Sequence, residues 1–311
     1  MPDRESPAVA PEFSIIIPSR NRPAQLQRCL ATIARLETPR DRFEVIVVDD
    51  GSRPAYREPL TRVSNAPAVR LLRREGGGPG QARNAAAEAA RGRFLALTDD
   101  DCAPAPDWLS RLGETLRQQP KTLAGGRTLN SLVDNVYAEA SQVLIAYLYS
   151  YYHAGEHEMR FFTSSNFALS RELYIQSGGF HPRFKLAGGE DRDFCDRWIS
   201  AGRPSVYVPD AVVYHAHCLS PASFLRQHYT YGRGAWHYHR ARAERGRGSV
   251  RAEPLPFLTG MLRYPFQQSE VRRPLAVSAL IASSVVMNAL GYFRERFGAG
   301  SGGADSNSPA A

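Results

Sequence analysis

Residues 94–102 read FLALTDDDC, so four apolar residues run straight into three aspartates. The apolar run predicts a buried strand, Phe94–Thr98, that carries carboxylates at its carboxyl end. Three adjacent acids repel one another, and a divalent cation would remove the cost of placing them beside a core. In an extended backbone Asp99 and Asp101 would point the same way and could ligate one hard metal ion. For the triplet alone, an acidic surface loop is the alternative.

The size and charge of the chain limit its class. A length of 311 residues with 43% hydrophobic content suits one large α/β domain with appendages. The net charge is +8, and residues 224–251 hold seven arginines against one acid, Glu244. Such a cluster suits nucleic acid, anionic lipid or a phosphorylated substrate, or is simply a solvated basic face. Because no nucleic-acid reading element is recognisable, we expect no nucleic-acid partner.

The cysteines and the two termini indicate the cellular setting. The cysteines form no C-x-x-C pair and predict reduced thiols in a cytosolic protein; they are Cys29, Cys102, Cys195 and Cys218. Residues 1–12 are polar and lack the apolar core of a secretory signal, so we expect them to be disordered and the protein to stay in the cytoplasm. Residues 298–311 are rich in Gly, Ser and Ala and are also expected to be disordered.

A long apolar segment lies near the carboxyl end. Leu275–Phe293 contains no charged residue, and its length is close to the ~20 residues that span a bilayer. Its flanking arginines are Arg272, Arg273, Arg294 and Arg296. Because the segment also carries polar side chains, a buried or interfacial helix and a membrane span stay as alternatives. Residues 241–297 are therefore predicted to form a basic and apolar helical region that associates with a membrane.

Strand and helix patterns alternate through the first half of the chain. The predicted strands are Phe13–Ile17, Glu44–Val48, Val69–Leu72 and Phe94–Thr98, and the predicted helices are Arg22–Leu36 and Gln81–Ala90. This alternation predicts an α/β fold with a mostly parallel sheet and helices on both faces. Ligands of such sheets bind beyond the carboxyl ends of the strands. Three polar clusters would meet there: Pro18–Arg20, Asp49–Asp50 and Asp99–Asp101.

The second half is predicted to complete the domain around that edge. Its predicted helices are Pro106–Gln119, Val133–Tyr152 and Glu190–Ala201, and its predicted strands are Leu123–Gly126, Phe161–Leu169 and Ala211–His215. The strand Phe161–Leu169 contains the polar residues Ser164–Asn166 and is predicted to form a wall of the site. The helix Val133–Tyr152 is predicted to line an acceptor groove or to lie against a membrane.

Seven motifs, in this order, resemble the inverting family 2 glycosyltransferases, which have the Rossmann-like GT-A fold. They are IIIPSRNRP (15–23), VVDDGS (47–52), GxxxARN (78–84), LTDDDC (97–102), SNFAL (165–169), GGF (178–180) and GEDRDF (189–194). Each motif alone is weak, but seven in the family's order are specific. The resemblance covers roughly residues 12–240 and implies a GT-A domain at 13–240, with a nucleotide-binding half (13–102) and an acceptor half (103–240).

The resemblance implies a binding site for a nucleotide-diphosphate sugar. The residues that would bind it are Pro18, Arg20, Asp50, Arg83, Asn84, Asp99, Asp100 and Asn166. Among them, Asp50 would accept a hydrogen bond from the base, most often uracil. Arg83 and Asn84 would support the diphosphate or the ribose, and donor choice would rest on residues such as Asn166.

The resemblance also implies a Mg²⁺ or Mn²⁺ site and a general base. Asp99, Asp101 and His215 would hold the metal, with His217 as a close competitor of His215 and packing as the alternative role for both histidines. A histidine ligand would favour Mn²⁺. Asp191, paired with Glu190, would take the proton of the acceptor hydroxyl. A helix N-terminus would favour its carboxylate form, whereas burial and Glu190 would raise its pKa.

The function so implied is metal-dependent, inverting transfer of a sugar from a UDP-linked donor to a hydroxyl acceptor. A lipid-linked or cell-envelope acceptor at the inner face of the cell membrane would suit the apolar and basic carboxyl-terminal region. The alternatives are a sugar-nucleotide nucleotidyltransferase of the same fold and an inactive, membrane-tethered scaffold that binds nucleotide diphosphates. A processive synthase is disfavoured because the Q-x-x-R-W motif is missing; Gln227–Tyr231 occupies the comparable region.

Overall fold

The computed structural model describes residues 10–57, 60, 68–152, 160–247 and 254–298. Most of the two segments predicted to be disordered, 1–12 and 298–311, therefore lies outside the described residues, as does Arg251 of the basic stretch. The strands are β1 (Phe13–Ser19), β2 (Phe43–Asp50), β3 (Val69–Arg74), β4 (Phe94–Leu97), β5 (Cys102–Pro104), β6 (Leu123–Asn130), β7 (Phe167–Ser170) and β8 (Ser205–His215).

Helices connect and cover these strands. They are α1 (Pro23–Ile33), α2 (Pro79–Ala89), α3 (Trp108–Gln118), α4 (Val136–Tyr151), α5 (Arg171–Gln176), α6 (Glu190–Ser200), α7 (Pro221–Glu244), α8 (Leu255–Arg263) and α9 (Pro274–Gly298). Short 3-10 turns lie at Arg40–Arg42 and Tyr264–Gln267. The helices predicted from spacing in the first half are confirmed within a few residues at their ends.

The strands form one mixed sheet in the order β3-β2-β1-β4-β7-β6-β8-β5. The strands β3, β2, β1 and β4 run parallel, and β6 runs parallel to β8. The strand β7 is antiparallel to β4 and β6, and β5 is antiparallel to β8. The predicted α/β class with a mostly parallel sheet is therefore confirmed.

Two apolar cores cover the two faces of the sheet. On one face, α1 and α3 pack with side chains such as Leu30 and Leu112, both at most 1% exposed. On the other face, α2 and α6 pack with Ala86 and Trp198, both 0% exposed. Because β1, β2 and β4 are buried on both faces, their sequences read as continuous apolar runs rather than alternating ones. Because both faces of these strands are buried, the polar residues lie where the strands end.

Three predicted backbone features are wrong in detail. The strand β4 ends at Leu97, so Asp99–Asp101 lies in a turn and not in the extended backbone that was expected. The strand predicted to start at Phe161 starts at Phe167, because a turn in which Asn166 N donates to Thr163 O precedes it. The strands β6 and β8 extend beyond the predicted bounds, and their pairing shifts register between Gly126 and Arg127.

The helix α7 links the sheet domain to the carboxyl-terminal helices. It starts at a capping box formed by Ser220 and Ser223 and continues past residue 240, where the domain boundary was predicted. It runs parallel to α9: residues just before both helices meet at Asp134 and Asn135, and further along Arg233 pairs with Glu295 and the ring of His239 contacts that of Tyr292. By length and composition α9 could cross a membrane, with a mean hydropathy of 1.7 over its most apolar window.

Candidate active site

The parallel strands bring the predicted polar clusters to one edge of the sheet. Because β1 lies between β2 and β4 in parallel register, the residues that follow each strand come together at its carboxyl end. Ser19 ends β1, Asp50 ends β2 and Asp99 follows β4. A hydrogen bond of 2.6 Å from Ser19 Oγ to Asp100 Oδ2 joins two of these ends directly. The predicted convergence is therefore present.

Asp50 presents a vacant acceptor inside this edge. Its Oδ2 accepts a hydrogen bond of 2.9 Å from the Gly78 backbone N–H, while its buried Oδ1 has no partner. Gly78 has φ of 90°, and a Cβ there would collide with the Lys185 carbonyl, so glycine is required at this approach. A buried carboxylate oxygen without a donor is costly, which makes it a binding point for a ligand N–H.

Arg83 presents unpaired donors to the same space. The side chain is 3% exposed and one guanidinium nitrogen, NH2, pairs with Asp99. Its Nε and NH1 are buried and have no partner. Burial acts to lower the pKa of Arg83, but the charges of Asp99, Asp191 and Glu190 raise it, so the group stays cationic. Two free donors on a buried cation suit a bound anion.

Asp101 is held as a carboxylate by cations. Its Oδ1 lies 2.9 Å from His215 Nε2, and its Oδ2 accepts a hydrogen bond of 2.9 Å from Arg22 NH1. Although burial acts to raise it, His215, His217 and Arg22 hold the pKa of Asp101 well below its usual range. Arg22, which carries no predicted role, belongs to the IIIPSRNRP motif and precedes α1. The group therefore keeps its negative charge throughout the physiological range.

Asp100, in the middle of the triplet, faces a different set of partners. It accepts hydrogen bonds from Ser19 and from Arg22, the latter at 3.2 Å. Burial, opposed by the Ser19 hydrogen bond, raises the pKa of Asp100 to about 6. Because its oxygens face β1 and α1, Asp100 does not join the groups that could hold a metal ion. Its predicted contact with the nucleotide sugar stays a prediction.

The ligand atoms of Asp99, Asp101, Cys102 and His215 all lie within 4.8 Å of one another. Two carboxylates and an imidazole are a donor set that fits a divalent cation such as Mn²⁺. The Cys102 thiol is a weaker candidate, because burial and the neighbouring aspartates raise its pKa well above the usual value and keep it protonated. The His217 ring contacts that of His215, tilted by 55° with centroids 3.7 Å apart, and lies outside this group of ligand atoms.

Asp191 lies at the first turn of α6, as predicted from the face that it shares with Phe194 and Trp198. Its two oxygens accept hydrogen bonds of 3.0 Å from Ser164 N and 2.9 Å from Ser164 Oγ. Burial is the largest effect and raises the pKa of Asp191, against the lowering by Arg83 and Ser164. The structure thus decides between the opposing effects that the sequence predicts, in favour of a stronger base.

Glu190 is the inner member of the Glu-Asp pair. It is 5% exposed, and its Oε2 accepts a hydrogen bond of 2.6 Å from Gly188 N. Burial and then the charge of Asp191 raise the pKa of Glu190. Its contact with the Gly188 backbone shapes the loop that leads into α6, which makes Glu190 a positioning residue for Asp191.

Tyr231 of α7 reaches the site without having been predicted there. Its ring lies against Gly188, where a Cβ would meet Tyr231 Cδ1 at 2.8 Å. Burial, followed by the charges of Glu190, Asp191, Asp99 and Asp101, raises the pKa of Tyr231. His228, one turn earlier, is 1% exposed and neither ring nitrogen has a partner. The only signal in the sequence is the aromatic run Gln227–Tyr231.

Two predicted donor residues have their polar atoms occupied within the protein. Asn166 is 0% exposed; its Oδ1 accepts from Trp108 Nε1 and its Nδ2 donates to the carbonyls of Arg127 and Ala211. These buried bonds join β6 to β8, and the role of Asn166 in donor choice stays a prediction.

Asn84 likewise holds the GGF turn together. Its Oδ1 accepts from Tyr174 Oη and Phe180 N, and its Nδ2 donates to Phe180 O. Asn84 therefore supports this turn, and its contact with the diphosphate or the ribose stays a prediction. Of the remaining predicted residues, Pro18 lies buried in β1 beside Val48, and Arg20 is exposed at the rim of the edge.

The sequence matches the profiles of known protein families. Residues 14–178 match the profile described as "Glycosyl transferase family 2", which is more than half of the chain. The chain belongs to glycosyl transferase family 2. Residues 147–216 also match a profile described as "N-terminal domain of galactosyltransferase". The predicted family resemblance is thereby confirmed.

Relatives and solved structures agree with this membership. The chain is 35% identical over 118 residues to glycosyltransferase AglE of Haloferax volcanii, covering 37% of this chain and 39% of that protein. It is 28% identical over 236 residues to the hyaluronan synthase of Pasteurella multocida, covering 65% of this chain and 24% of the synthase. The matches thus span well under half of these relatives' lengths.

A solved structure shares the fold. The mannosyltransferase PcManGT of Pyrobaculum calidifontis, in complex with GDP-Man and Mn²⁺, aligns with a TM-score of 0.55 and 19% identity. The alignment covers 96% of this chain and 78% of the mannosyltransferase. The GT-A fold implied by the motifs is confirmed.

Proposed function

We propose that this protein is a metal-dependent inverting glycosyltransferase that uses a nucleotide-diphosphate sugar, most often UDP-linked, as donor. One observation carries the proposal: a buried cation with two free donors, Arg83, pairs with one acid of the triplet and is also influenced by the charges of the Glu-Asp pair. Asp99 pairs with Arg83 on one side, and the charge of Asp191 acts on it from the other. An anionic leaving group can thus lie beside a general base.

The donor half of the site is built for a nucleoside diphosphate. The free Oδ1 of Asp50 would accept a hydrogen bond from the base, and Arg83 Nε and NH1 would bond phosphate oxygens. Asp99, Asp101 and His215 would hold a divalent cation, and the imidazole ligand favours Mn²⁺ over Mg²⁺. When bound, such a cation stabilises the negative charge that collects on the departing diphosphate. The related mannosyltransferase fold, solved with Mn²⁺, is compatible with this assignment.

Asp191 would act as the general base on the acceptor. A raised pKa brings a carboxylate closer to the proton affinity that an attacking hydroxyl requires. Ser164 holds both oxygens of Asp191 in place, which fixes the direction from which the acceptor hydroxyl attacks. Attack from the side opposite the diphosphate would invert the anomeric carbon.

A large cavity with Tyr149 in its lining could receive the acceptor. It measures about 900 Å³ and is lined by α4, by the β6–β8 pair and by the segment before α9. One lining residue, Tyr149, bonds Thr163 through its hydroxyl, and Thr163 precedes the Ser164 that holds Asp191. The cavity, together with the apolar α9, supports a glycan or lipid-linked acceptor at the inner, cytoplasmic face of the cell membrane.

Calorimetry with nucleoside diphosphates tests the donor site. We would titrate the protein with UDP, GDP and dTDP, in the presence of Mn²⁺, Mg²⁺ or EDTA. Tight binding of one nucleotide that EDTA abolishes is expected, with UDP the strongest. Binding of none of the three under any condition would contradict the proposal and favour a scaffold without a donor site. Turnover of a nucleoside triphosphate with release of pyrophosphate would favour a nucleotidyltransferase instead.

A further inference from the structure

The helix α9 carries an unbroken apolar stripe on the side that faces away from the domain. Among the described residues, seven exposed apolar side chains follow one another at spacings of three or four along the helix: Leu275, Ala279, Ala282, Val286, Leu290, Phe293 and Phe297. Four of them are more than half exposed, with Leu275 at 77% and Phe297 at 70%. The stripe extends over ~33 Å of helix, at about 1.5 Å per residue.

The opposite side of α9 belongs to the protein core. Val277 and Ile281 are 0% and 1% exposed and pack with side chains of α4, α7 and α8. Gly291 lies so close to α7 that a Cβ would collide with the Tyr229 carbonyl. Glu295 pairs with Arg233 of α7. A helix that crossed a bilayer would have to leave these contacts, so α9 is fixed along the surface of the domain.

Basic side chains border the stripe. At a helical period of about 100° per residue, Arg294 and Arg296 lie on either side of Phe293 and Phe297. Both arginines are exposed. At the other end, Arg272 and Arg273 precede Leu275 and are exposed as well. An apolar stripe edged by arginines is complementary to an anionic lipid surface, with acyl chains under the stripe and headgroups beside the arginines.

We propose that α9 docks the protein on anionic lipid as an interfacial helix, with the apolar stripe inserted and the catalytic domain held above it. Two further exposed apolar side chains, Leu255 of α8 and Phe266 of the adjoining 3-10 turn, are 71% and 54% exposed and belong to elements that contact α9. The alternatives are a membrane-spanning α9 and a second copy of this chain on the stripe.

The docking position places the reaction centre close to the lipid. The loop before Glu190 lies on α7, where a Cβ at Gly189 would meet the Gly234 carbonyl, and α7 in turn lies on α9. One helix of ~10 Å diameter therefore separates the Glu-Asp pair from the lipid-facing helix. This favours an acceptor whose hydroxyl is anchored at the membrane. Only that consequence rests on the proposed function; the docking itself does not.

Vesicle sedimentation of the full chain tests the proposal. We expect binding to phosphatidylcholine vesicles that contain phosphatidylglycerol to exceed binding to pure phosphatidylcholine by at least about tenfold, and to weaken with salt. The double variant Phe293→Asp/Phe297→Asp should lose at least about tenfold in binding, because two large apolar side chains no longer enter the lipid. Ile175→Asp is the matched control: this residue of α5 is 45% exposed and should bind as the parent does.

The controls separate the alternatives. Circular dichroism and nucleotide calorimetry establish that each variant is folded; vesicle binding without nucleotide binding in the parent would sink the proposed function and leave the docking intact. Equal loss in both variants, or no vesicle binding by the parent, would overturn the docking. So would resistance of the native protein to alkaline extraction from membranes, which indicates a span. A dimer in sedimentation velocity that the double variant dissociates would assign the stripe to a second copy.

Discussion

The site contains two groups of acids that the protein treats in opposite ways. Among the aspartates that follow β4, Asp101 lies beside His215 and Arg22, which hold its pKa far below the usual range despite its burial. The Glu-Asp pair that opens α6 is buried, and this burial raises the pKa of both Glu190 and Asp191. Asp101 is kept charged, and the Glu-Asp pair is poised to take a proton.

This difference in pKa indicates the role of each acid better than the residue type does. A carboxylate that must hold a metal ion works best when it cannot be protonated, whereas a general base works best when its pKa lies close to the working pH. Environments that push the pKa values of neighbouring acids apart identify which acid does which task. Arg83 connects the two groups, since it pairs with Asp99 and is also acted on by Asp191.

The largest effect is expected from removing the base. Asp191→Asn keeps the shape of the side chain and its bond from Ser164 but cannot accept a proton. We expect donor turnover, measured as release of the nucleoside diphosphate, to fall by ~10²–10⁴-fold, as is typical for loss of a general base. Nucleotide affinity measured by calorimetry should stay unchanged, because Asp191 does not belong to the donor half.

Asp196→Asn is the control for that variant. Asp196 lies on the same helix, more than one turn further along, and pairs with Arg242 and Arg245 near the surface. Ion pairs of this kind contribute at most about 1 kcal/mol, so turnover should change by less than about fivefold. A turnover loss in Asp196→Asn as large as in Asp191→Asn would mean that α6 as a whole, not one carboxylate, is needed.

A smaller and different effect is expected in the acid triplet. Asp101→Asn removes a charged oxygen from the group that fits a metal ion, so metal-dependent nucleotide binding should weaken by at least about tenfold. Asp100→Asn should weaken it less, because the oxygens of Asp100 face Ser19 and Arg22. Calorimetry at a series of Mn²⁺ concentrations measures both. Equal losses would show that the triplet acts as a unit and that the assigned directions are mistaken.

The sequence predicts the donor half of this site well, because its residues follow buried parallel strands whose carboxyl ends must meet. Asp50, Asp99 and Asp101 reach one edge for that reason, and Arg83 joins them from α2. The sequence does not predict the hydrogen-bond partners of amide side chains, because these partners come from distant segments. Asn166 is bonded by Trp108, Arg127 and Ala211. No local pattern distinguishes an amide that binds a ligand from one that joins strands.

The sequence also does not predict the residues that reach the site from a separate helix. Tyr231 enters because Gly188 and Gly189 let α7 approach the loop before α6, a contact between segments more than 40 residues apart. Neither the spacing nor the composition of α7 marks the residue that faces the acids. The acceptor side of the site therefore needs the three-dimensional structure, whereas the donor side is largely encoded in strand order.

The smallest expected effect tests how finely the base is adjusted. Ser164 Oγ donates to the charged form of Asp191, so Ser164→Ala removes an interaction that lowers the pKa of this carboxylate. The base works only when unprotonated, and turnover already declines as the pH falls through its raised pKa. In Ser164→Ala that decline should move to higher pH by about one unit, since a hydrogen bond to a charged group is worth ~1.5 kcal/mol or more. Ser165→Ala is the matched neighbour, because Ser165 Oγ lies 3.0 Å from Thr163 Oγ1 and has no hydrogen bond to Asp191 among the described contacts. If both variants keep the pH profile of the parent, the decline at low pH belongs to another group and the contrast between the two acidic groups loses its kinetic support.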